Sequence, residues 1–160
     1  MRRILIFGNS GSGKSTLAKK ITASHGLAHL DLDTLAWQPK VPPQRKSLET
    51  SKVDILAFVR ANSGWVIEGC YADLLELALP FSSEIVFLNL SVEDCIKNAR
   101  SRAWEPHKYQ SKQAQDDNLD MLLHWISQYS VRDDEFSQAA HNKIYAQFAG
   151  KKSMLLRNQE

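Results

Sequence analysis

Apolar and polar positions follow two periods along this chain. Five short apolar or β-rich runs read as strands: Arg3–Phe7, which ends at Gly8, then Ala28–Leu32, Trp65–Ile67, Ile85–Leu90 and Ser153–Arg157. Between them the pattern turns helical. Lys14–Ser24 puts Leu17, Ala18 and Ile21 on one face, and Ser47–Asn62 spaces Val53, Leu56, Ala57 and Arg60 at i, i+3, i+4 and i+7. Ala72–Leu79 reads as a short helix stopped by Pro80, and Ser91-Val-Glu-Asp94 resembles a capping box opening a helix to about Arg102. The polar stretch 103–115, with Pro106, reads as a loop, and helices are predicted over about 116–130 and 133–149, with Gly150 as a cap. Strands that alternate with helices predict an α/β class, with a parallel sheet covered on both faces.

Length and composition narrow this picture. The 160 residues, 43% of them hydrophobic, fit one domain with a single sizeable core. Residues 1–80 carry net +3 and residues 81–160 net −1, so neither half holds the basic stripe of a dedicated nucleic-acid binder. The longest apolar runs fall far short of the ~20 residues that span a bilayer. The two N-terminal arginines and the run after them stop at Gly8, unlike a signal peptide. Cys70 and Cys95 lack metal-ligand spacing and read as reduced thiols of a cytoplasmic protein. A reactive Cys70 is the alternative, because it follows a strand-end carboxylate.

The strongest chemical signal is Gly8-Asn9-Ser10-Gly11-Ser12-Gly13-Lys14-Ser15, followed by Thr16. It fits GxxxxGK[ST] at every fixed position and lies between a predicted strand and a predicted helix. Its glycines let successive N–H groups face an anion, and the helix adds its positive end. Lys14 would reach the β- and γ-phosphates of ATP or GTP, and Ser15 would ligate Mg2+ between them. Asp31 and Asp33 close the second strand, where alternation places both on one face. One would hold Mg2+ through water, and the other would bind or deprotonate an acceptor hydroxyl. Asp33 also fits as the N-cap of a short helix from Thr34. Glu68 ends the third strand as a Mg2+-side carboxylate or base, or as the partner of a lysine. Gly69 after it would admit a substrate, with Tyr71 lining the same side.

Together these residues resemble the P-loop nucleoside-monophosphate kinase and shikimate kinase group, including small adenylate-kinase-related proteins sometimes labelled DNA topology modulation proteins. Asp31-Leu-Asp33 resembles the DxD of shikimate kinases, and Glu68-Gly69 the Asp-Gly of adenylate kinases. The resemblance implies a three-layer P-loop NTPase fold with sheet order 2-3-1-4-5. It also implies an acceptor-side segment over about 34–62, where Trp37 would stack on an acceptor ring or pack as an interface or core aromatic, and a short lid over about 103–115. Arg102, with Arg100 or Arg132, would stabilise the transferring phosphoryl, and Arg132-Asp-Asp134 resembles the lid-exit motif. Each of these arginines also fits as a solvated helix-end charge. Asn98 stands where adenylate kinases carry another arginine, and His141, Asn142 and Lys143 where a later one is expected.

The implied activity is ATP- and Mg2+-dependent phosphoryl transfer to a small nucleotide, nucleoside, hydroxy acid or sugar acid. A nucleotide-dependent regulator or nucleic-acid-associated ATPase, and a non-catalytic ATP-binding module, are the two alternatives. The sequence leaves the base (Asp33 or Glu68), the acceptor and the oligomeric state open. Trp104-Glu-Pro-His-Lys-Tyr109 reads either as a moving lid or as a loop packed by Trp104.

Overall fold

The computed structural model describes residues 1–159. The chain opens with β1 (Arg3–Gly8), α1 (Lys14–His25) and β2 (Ala28–Asp31), then a 3-10 turn over Leu32–Thr34. A two-stranded hairpin follows, β3 (Trp37–Gln38) with β4 (Gln44–Arg45), and then α2 (Leu48–Ala61), β5 (Trp65–Gly69) and α3 (Ala72–Ala78). The second half runs through β6 (Glu84–Leu88), α4 (Val92–Arg100), α5 (Lys112–Asp117), α6 (Leu119–Ser127), α7 (Gln138–Gln147) and β7 (Lys151–Leu155).

Five strands form one parallel sheet in the order β2-β5-β1-β6-β7. With the hairpin strands left out of the count, this is the expected 2-3-1-4-5. The strict alternation of side chains along a strand explains the layers. Leu5 and Phe7 of β1, Trp65 and Ile67 of β5, and Ile85 and Phe87 of β6 pack into one core with α2, α3 and α7. Ile4, Ile6, Val66, Val86 and Leu88 point the other way, into a second core with α1, α4 and α6. All three inner strands are buried along nearly their whole length, so their sequences read as continuous apolar runs.

Serines set several helix starts. The Oγ atoms of Ser47, Ser91, Ser111 and Ser137 accept from the backbone N–H groups of Thr50, Asp94, Ala114 and Ala140. Ser111 and Ser137 also explain two corrections to the expected boundaries. The helix predicted from about 116 is two helices: α5 starts inside the expected loop, and Asn118 divides it from α6. The helix predicted from 133 starts at Gln138, because Asp134 turns the chain by accepting from the Phe136 N–H at 3.0 Å. The last strand starts two residues earlier than expected, and Gly150 does not cap α7, which ends at Gln147 with Phe148 in the cap position.

Candidate active site

Parallel strands bring their C-terminal ends to one edge of the sheet, and the candidate chemistry gathers there. Asp31 pairs in register with Glu68, and Phe7 with Gly69 and Phe87. The loop after β1 therefore begins beside two strand-end carboxylates. A cavity of about 850 Å³ lies over this edge and holds Lys14, Ser15, Asp31, Asp33, Glu68 and Arg102 on its walls.

The Gly8–Ser15 loop has the backbone its sequence requires. Gly11 and Gly13 sit at φ 77° and 91°, where a side chain is strained. A Cβ at Gly11 would lie 2.5 Å from the Cys95 carbonyl oxygen, so α4 presses directly on the loop. Lys14 Nζ donates to the Asn9 carbonyl at 2.7 Å and closes the loop on itself. Ser12 Oγ is buried without a hydrogen-bond partner among the described residues. Asn9 is buried and faces away from the cavity, donating from Nδ2 to the Ile126 carbonyl at 3.2 Å. Ser10 and Thr16 line the cavity with Gly11, Gly13, Lys14 and Ser15, whereas Gly8 carries the turn out of β1.

Glu68 is 2% exposed, and both its oxygens are engaged. Oε1 accepts from Ser15 Oγ at 3.0 Å, and Oε2 lies 2.9 Å from His29 Nε2. Its partners are thus the loop serine and a histidine of β2, not the lysine considered from sequence. Among the described residues no group of three His, Cys, Asp or Glu side chains could hold a metal by itself. The hard oxygens of Ser15 and Glu68 fit a divalent cation only when nucleotide phosphate oxygens and water complete its shell.

Asp31 and Asp33 both reach the cavity, but not by strand alternation. The strand ends at Asp31, whose Oδ1 accepts from the Asp33 N–H at 2.9 Å and caps the 3-10 turn. The cap is therefore Asp31 instead of Asp33, and the turn aims Asp33 at the cavity. There Asp33 accepts from the Tyr71 hydroxyl on Oδ1, and Lys108 Nζ lies 3.1 Å from Oδ2.

These contacts push the two carboxylates in opposite directions. Burial, with the charges of Asp33 and Glu68, raises Asp31 above the ordinary carboxylate value. Burial also opposes ionisation of Asp33, but the Lys108 charge and the bonds from Tyr71 and Lys108 prevail and lower it. Burial, then Cys70 and Asp33, raises the Tyr71 phenol, which stays protonated and donates. Asp33 is held ionised beside a neutral donor and a cation.

One wall of the cavity is aromatic. Trp37 Nε1 donates to Tyr71 Oη at 2.9 Å, and the two rings meet edge to face. Trp125 and Phe136 continue the wall, also edge to face, at 5.1 Å between centroids. Residues Ala103–Tyr109 line the same cavity. Of these, Lys108 reaches across to Asp33 and also lies 3.5 Å from Glu105. Trp104 Nε1 donates to the Tyr109 carbonyl at 3.1 Å, which folds the segment on itself.

Several expected site residues lie elsewhere or act differently. Arg102 lines the cavity and pairs with Glu105 at 3.1 Å, but Arg100 turns into a small separate recess among α4, α5 and α6. Arg132 lies behind the wall, paired with Asp134 and stacked 3.6 Å over the Trp125 ring. Gly69 lines the cavity, but a Cβ there would meet Leu32 at 2.9 Å, so packing requires the glycine. Burial pushes the Cys70 thiol up to about 12, the opposite of a reactive thiolate. His141 is fully buried, accepts at Nδ1 from Tyr129 Oη at 2.7 Å and donates from Nε2 to the Cys70 carbonyl at 2.8 Å.

The sequence reading missed four contributors. Lys108 appeared there only as a cation in the lid, and His29 only as part of a strand. Asn158 lies over the loop, donating to the Ser12 carbonyl at 2.9 Å, with its Oδ1 accepting from Asn98 at 2.7 Å. Phe136, which completes the wall, sits where a helix was expected. A histidine two residues before a strand-end Asp was the one available signal for His29.

No family model and no curated protein matches the sequence. Solved structures do match in fold. A sugar kinase from Janibacter sp. HTCC2649 aligns over 100% of this chain and 87% of its own, at 13% identity and a TM-score of 0.57. A gluconokinase from Sinorhizobium meliloti 1021 aligns over 99% and 84%, at 16% identity and a TM-score of 0.52. A shikimate kinase from Bacteroides thetaiotaomicron aligns over 91% and 97%, at 16% identity and a TM-score of 0.48. The chain shares the three-layer α/β fold of the sugar kinase and the gluconokinase.

Proposed function

We propose that this protein transfers the γ-phosphoryl group of ATP to a hydroxyl of a small-molecule acceptor, with Mg2+ as cofactor. One observation carries the reading: a carboxylate held ionised, Asp33, shares a single cavity with a complete phosphate-binding loop. A binding module needs only the loop. A carboxylate base opposite the loop is what acceptor chemistry adds.

The geometry supports a role for each residue. Bound Mg-ATP supplies the transferable phosphoryl group and the divalent charge that offsets its oxygens. The loop amides and Lys14 cradle the phosphates, once Lys14 leaves the Asn9 carbonyl. Ser15 and Glu68 hold the cation side, with Glu68 fixed by His29. Asp31, protonating more readily, serves as a water-mediated contact or a hydroxyl donor. Asp33 accepts the proton of the acceptor hydroxyl, and Tyr71 keeps its carboxylate aimed at the cavity. Arg102 reaches the developing charge from the lid hinge, since its always-charged planar fork suits a phosphoryl group. Trp37 and Gly69 border the acceptor. Positioning and fixed charge account for most of phosphoryl transfer, so this set is sufficient in kind.

The test is ADP formation with Mg2+ and a panel of hydroxyl-bearing acceptors, with duplex DNA as a further arm. Acceptor-stimulated ADP and a phosphorylated product are expected from the wild type and should vanish in Lys14→Ala. Consumption stimulated only by DNA, or equal in Lys14→Ala, would sink the reading.

A further inference from the structure

Two carboxamides from distant parts of the chain meet at the Gly8–Ser15 loop. Asn98 stands near the end of α4, on the same face as Cys95, whose carbonyl lies against Gly11. Both hydrogens of its Nδ2 are used, one donated to the Gly11 carbonyl at 2.9 Å and one to Asn158 Oδ1 at 2.7 Å. Asn158 follows the end of β7, and its own Nδ2 donates to the Ser12 carbonyl at 2.9 Å. The exit of β7 is itself fixed, because the Asn89 N–H donates to the Leu155 carbonyl at 2.8 Å. Both asparagines also line the cavity.

The approach to the loop is close. A Cβ at Gly13 would lie 2.7 Å from Asn158 Nδ2. The amides and the loop glycines therefore fit one another at van der Waals distance, with no room for a side chain between them.

Peptide geometry gives these bonds a consequence. A trans peptide is planar, with its C=O and N–H on opposite sides. The Gly11 carbonyl cannot turn without turning the Ser12 N–H, and the Ser12 carbonyl cannot turn without the Gly13 N–H. By holding the two carbonyls, the amides hold the two N–H groups. These lead into the positive end of α1, the part of the loop suited to phosphate. Glycine loses more backbone freedom on ordering than any other residue, so Gly11 and Gly13 make this stretch costly to order. Amides that order it beforehand remove part of that cost from binding. The Asn9 carbonyl receives Lys14 Nζ and the Ser12 N–H, at 2.7 and 3.2 Å. The two asparagines use different carbonyls, so their bonds persist when Lys14 turns to phosphate. Neither amide carries charge, so its influence on an anion is one of orientation.

We propose that Asn98 and Asn158 are positioning residues for the polyphosphate of a nucleotide, acting through the Gly11 and Ser12 carbonyls to pre-set the loop N–H groups. Their action is on the phosphates and not on the base. The proposal rests on the loop's binding of nucleotide phosphate and not on transfer to an acceptor, so a binding measurement tests it separately.

The full chain, with Mg2+, is titrated with a non-hydrolysable ATP analogue and with inorganic tripolyphosphate, the second read by displacement of a fluorescent ATP analogue. Asn158→Ala should weaken both by about fivefold, the size of one neutral hydrogen bond. Asn98→Ala should weaken both at least as much. The double variant should lose less than the product of the two, because Asn98 holds Asn158. Asn158 is exposed, so the urea midpoint of its variant should stay in place while affinity falls. A loss confined to the ATP analogue would make the amides base contacts and overturn the proposal. Tighter binding would make Asn158 an obstruction and overturn it equally. Unchanged affinity, a double loss equal to the product, or an affinity that falls only together with the urea midpoint would do the same. Failure of the wild type to bind tripolyphosphate would also overturn it. A phosphorylated acceptor, or its absence, bears on the transfer reading alone.

Discussion

At the residue scale, the site depends on how Asp33 is kept ionised. The Tyr71 hydroxyl and Lys108 both lower its pKa against the effect of burial. Tyr71→Phe removes one of these bonds, so Asp33 titrates higher. The acid limb of the kcat–pH profile should move to higher pH, and an unmoved limb would show that Asp33 is not the titrating base. Asp33→Asn should lower kcat by about 10²–10⁴-fold, the range for losing a positioned general base, with nucleotide affinity nearly unchanged. Gly69→Ala places a methyl group against Leu32 and should cost about 1–3 kcal/mol of stability by urea unfolding. The loop, both Asp residues and Glu68 were legible because fixed spacing and strand ends carry them. Lys108 was not. A lysine in an aperiodic loop gives no signal of a partner distant in sequence, and only the folded segment brings it to Asp33.

At the element scale, α7 is fastened to the sheet by a buried histidine. His141 bridges Tyr129 and the Cys70 carbonyl and packs edge to face on Phe7 and Phe87. Burial drives its pKa from 6.5 down to about 4. Above pH 6.5 the histidine is neutral in both folded and unfolded chains. As pH falls from 6.5 toward 4, the unfolded chain binds a proton that the folded chain refuses, so stability falls. The shift corresponds to a loss of roughly 3 kcal/mol across that window. Urea unfolding from pH 7 to 4.5 should show this slope, and His141→Gln, which keeps a donor and an acceptor, should flatten it. An equal slope in both would place the pH dependence elsewhere.

Element types were legible in the inner strands, whose runs are apolar throughout. α2 was read as a helix but from the wrong face: Val53, Ala57 and Arg60 are exposed, and Ile55, Phe58 and Val59 pack on the core instead. The β3–β4 hairpin was not legible, because two-residue strands separated by prolines leave no alternation to read. The division between α5 and α6 was missed for a related reason: Asn118 ends α5 and opens α6 without breaking the apolar stripe of Leu119, Leu122 and Leu123.

At the scale of the whole molecule, a parallel sheet buried on both faces puts every strand's C-terminal end along one edge. Side-chain alternation in β1, β5 and β6 supplies both cores, which is why the layer order was readable from runs of apolar residues. The shape of the cavity was not readable. Its aromatic wall takes Trp37 from the hairpin, Tyr71 from the start of α3, Trp125 from α6 and Phe136 from the turn before α7, and no local pattern links those four. The small net charge of +2 has a local form as well: two arginines, Arg45 and Arg132, are neutralised behind the wall, while Lys14, Lys19, Lys20, Arg102 and Lys108 line the cavity.

The central claim is that this cavity moves a phosphoryl group from nucleotide to acceptor. It is tested most directly by incubating the protein with ATP labelled with ¹⁸O on the γ-phosphoryl group, Mg2+ and a hydroxyl-bearing acceptor, then weighing the products by mass spectrometry. The account predicts labelled phosphoryl on the acceptor with the wild type and none with Lys14→Ala. Label recovered only as inorganic phosphate, or an equal yield of labelled acceptor from Lys14→Ala, would contradict it.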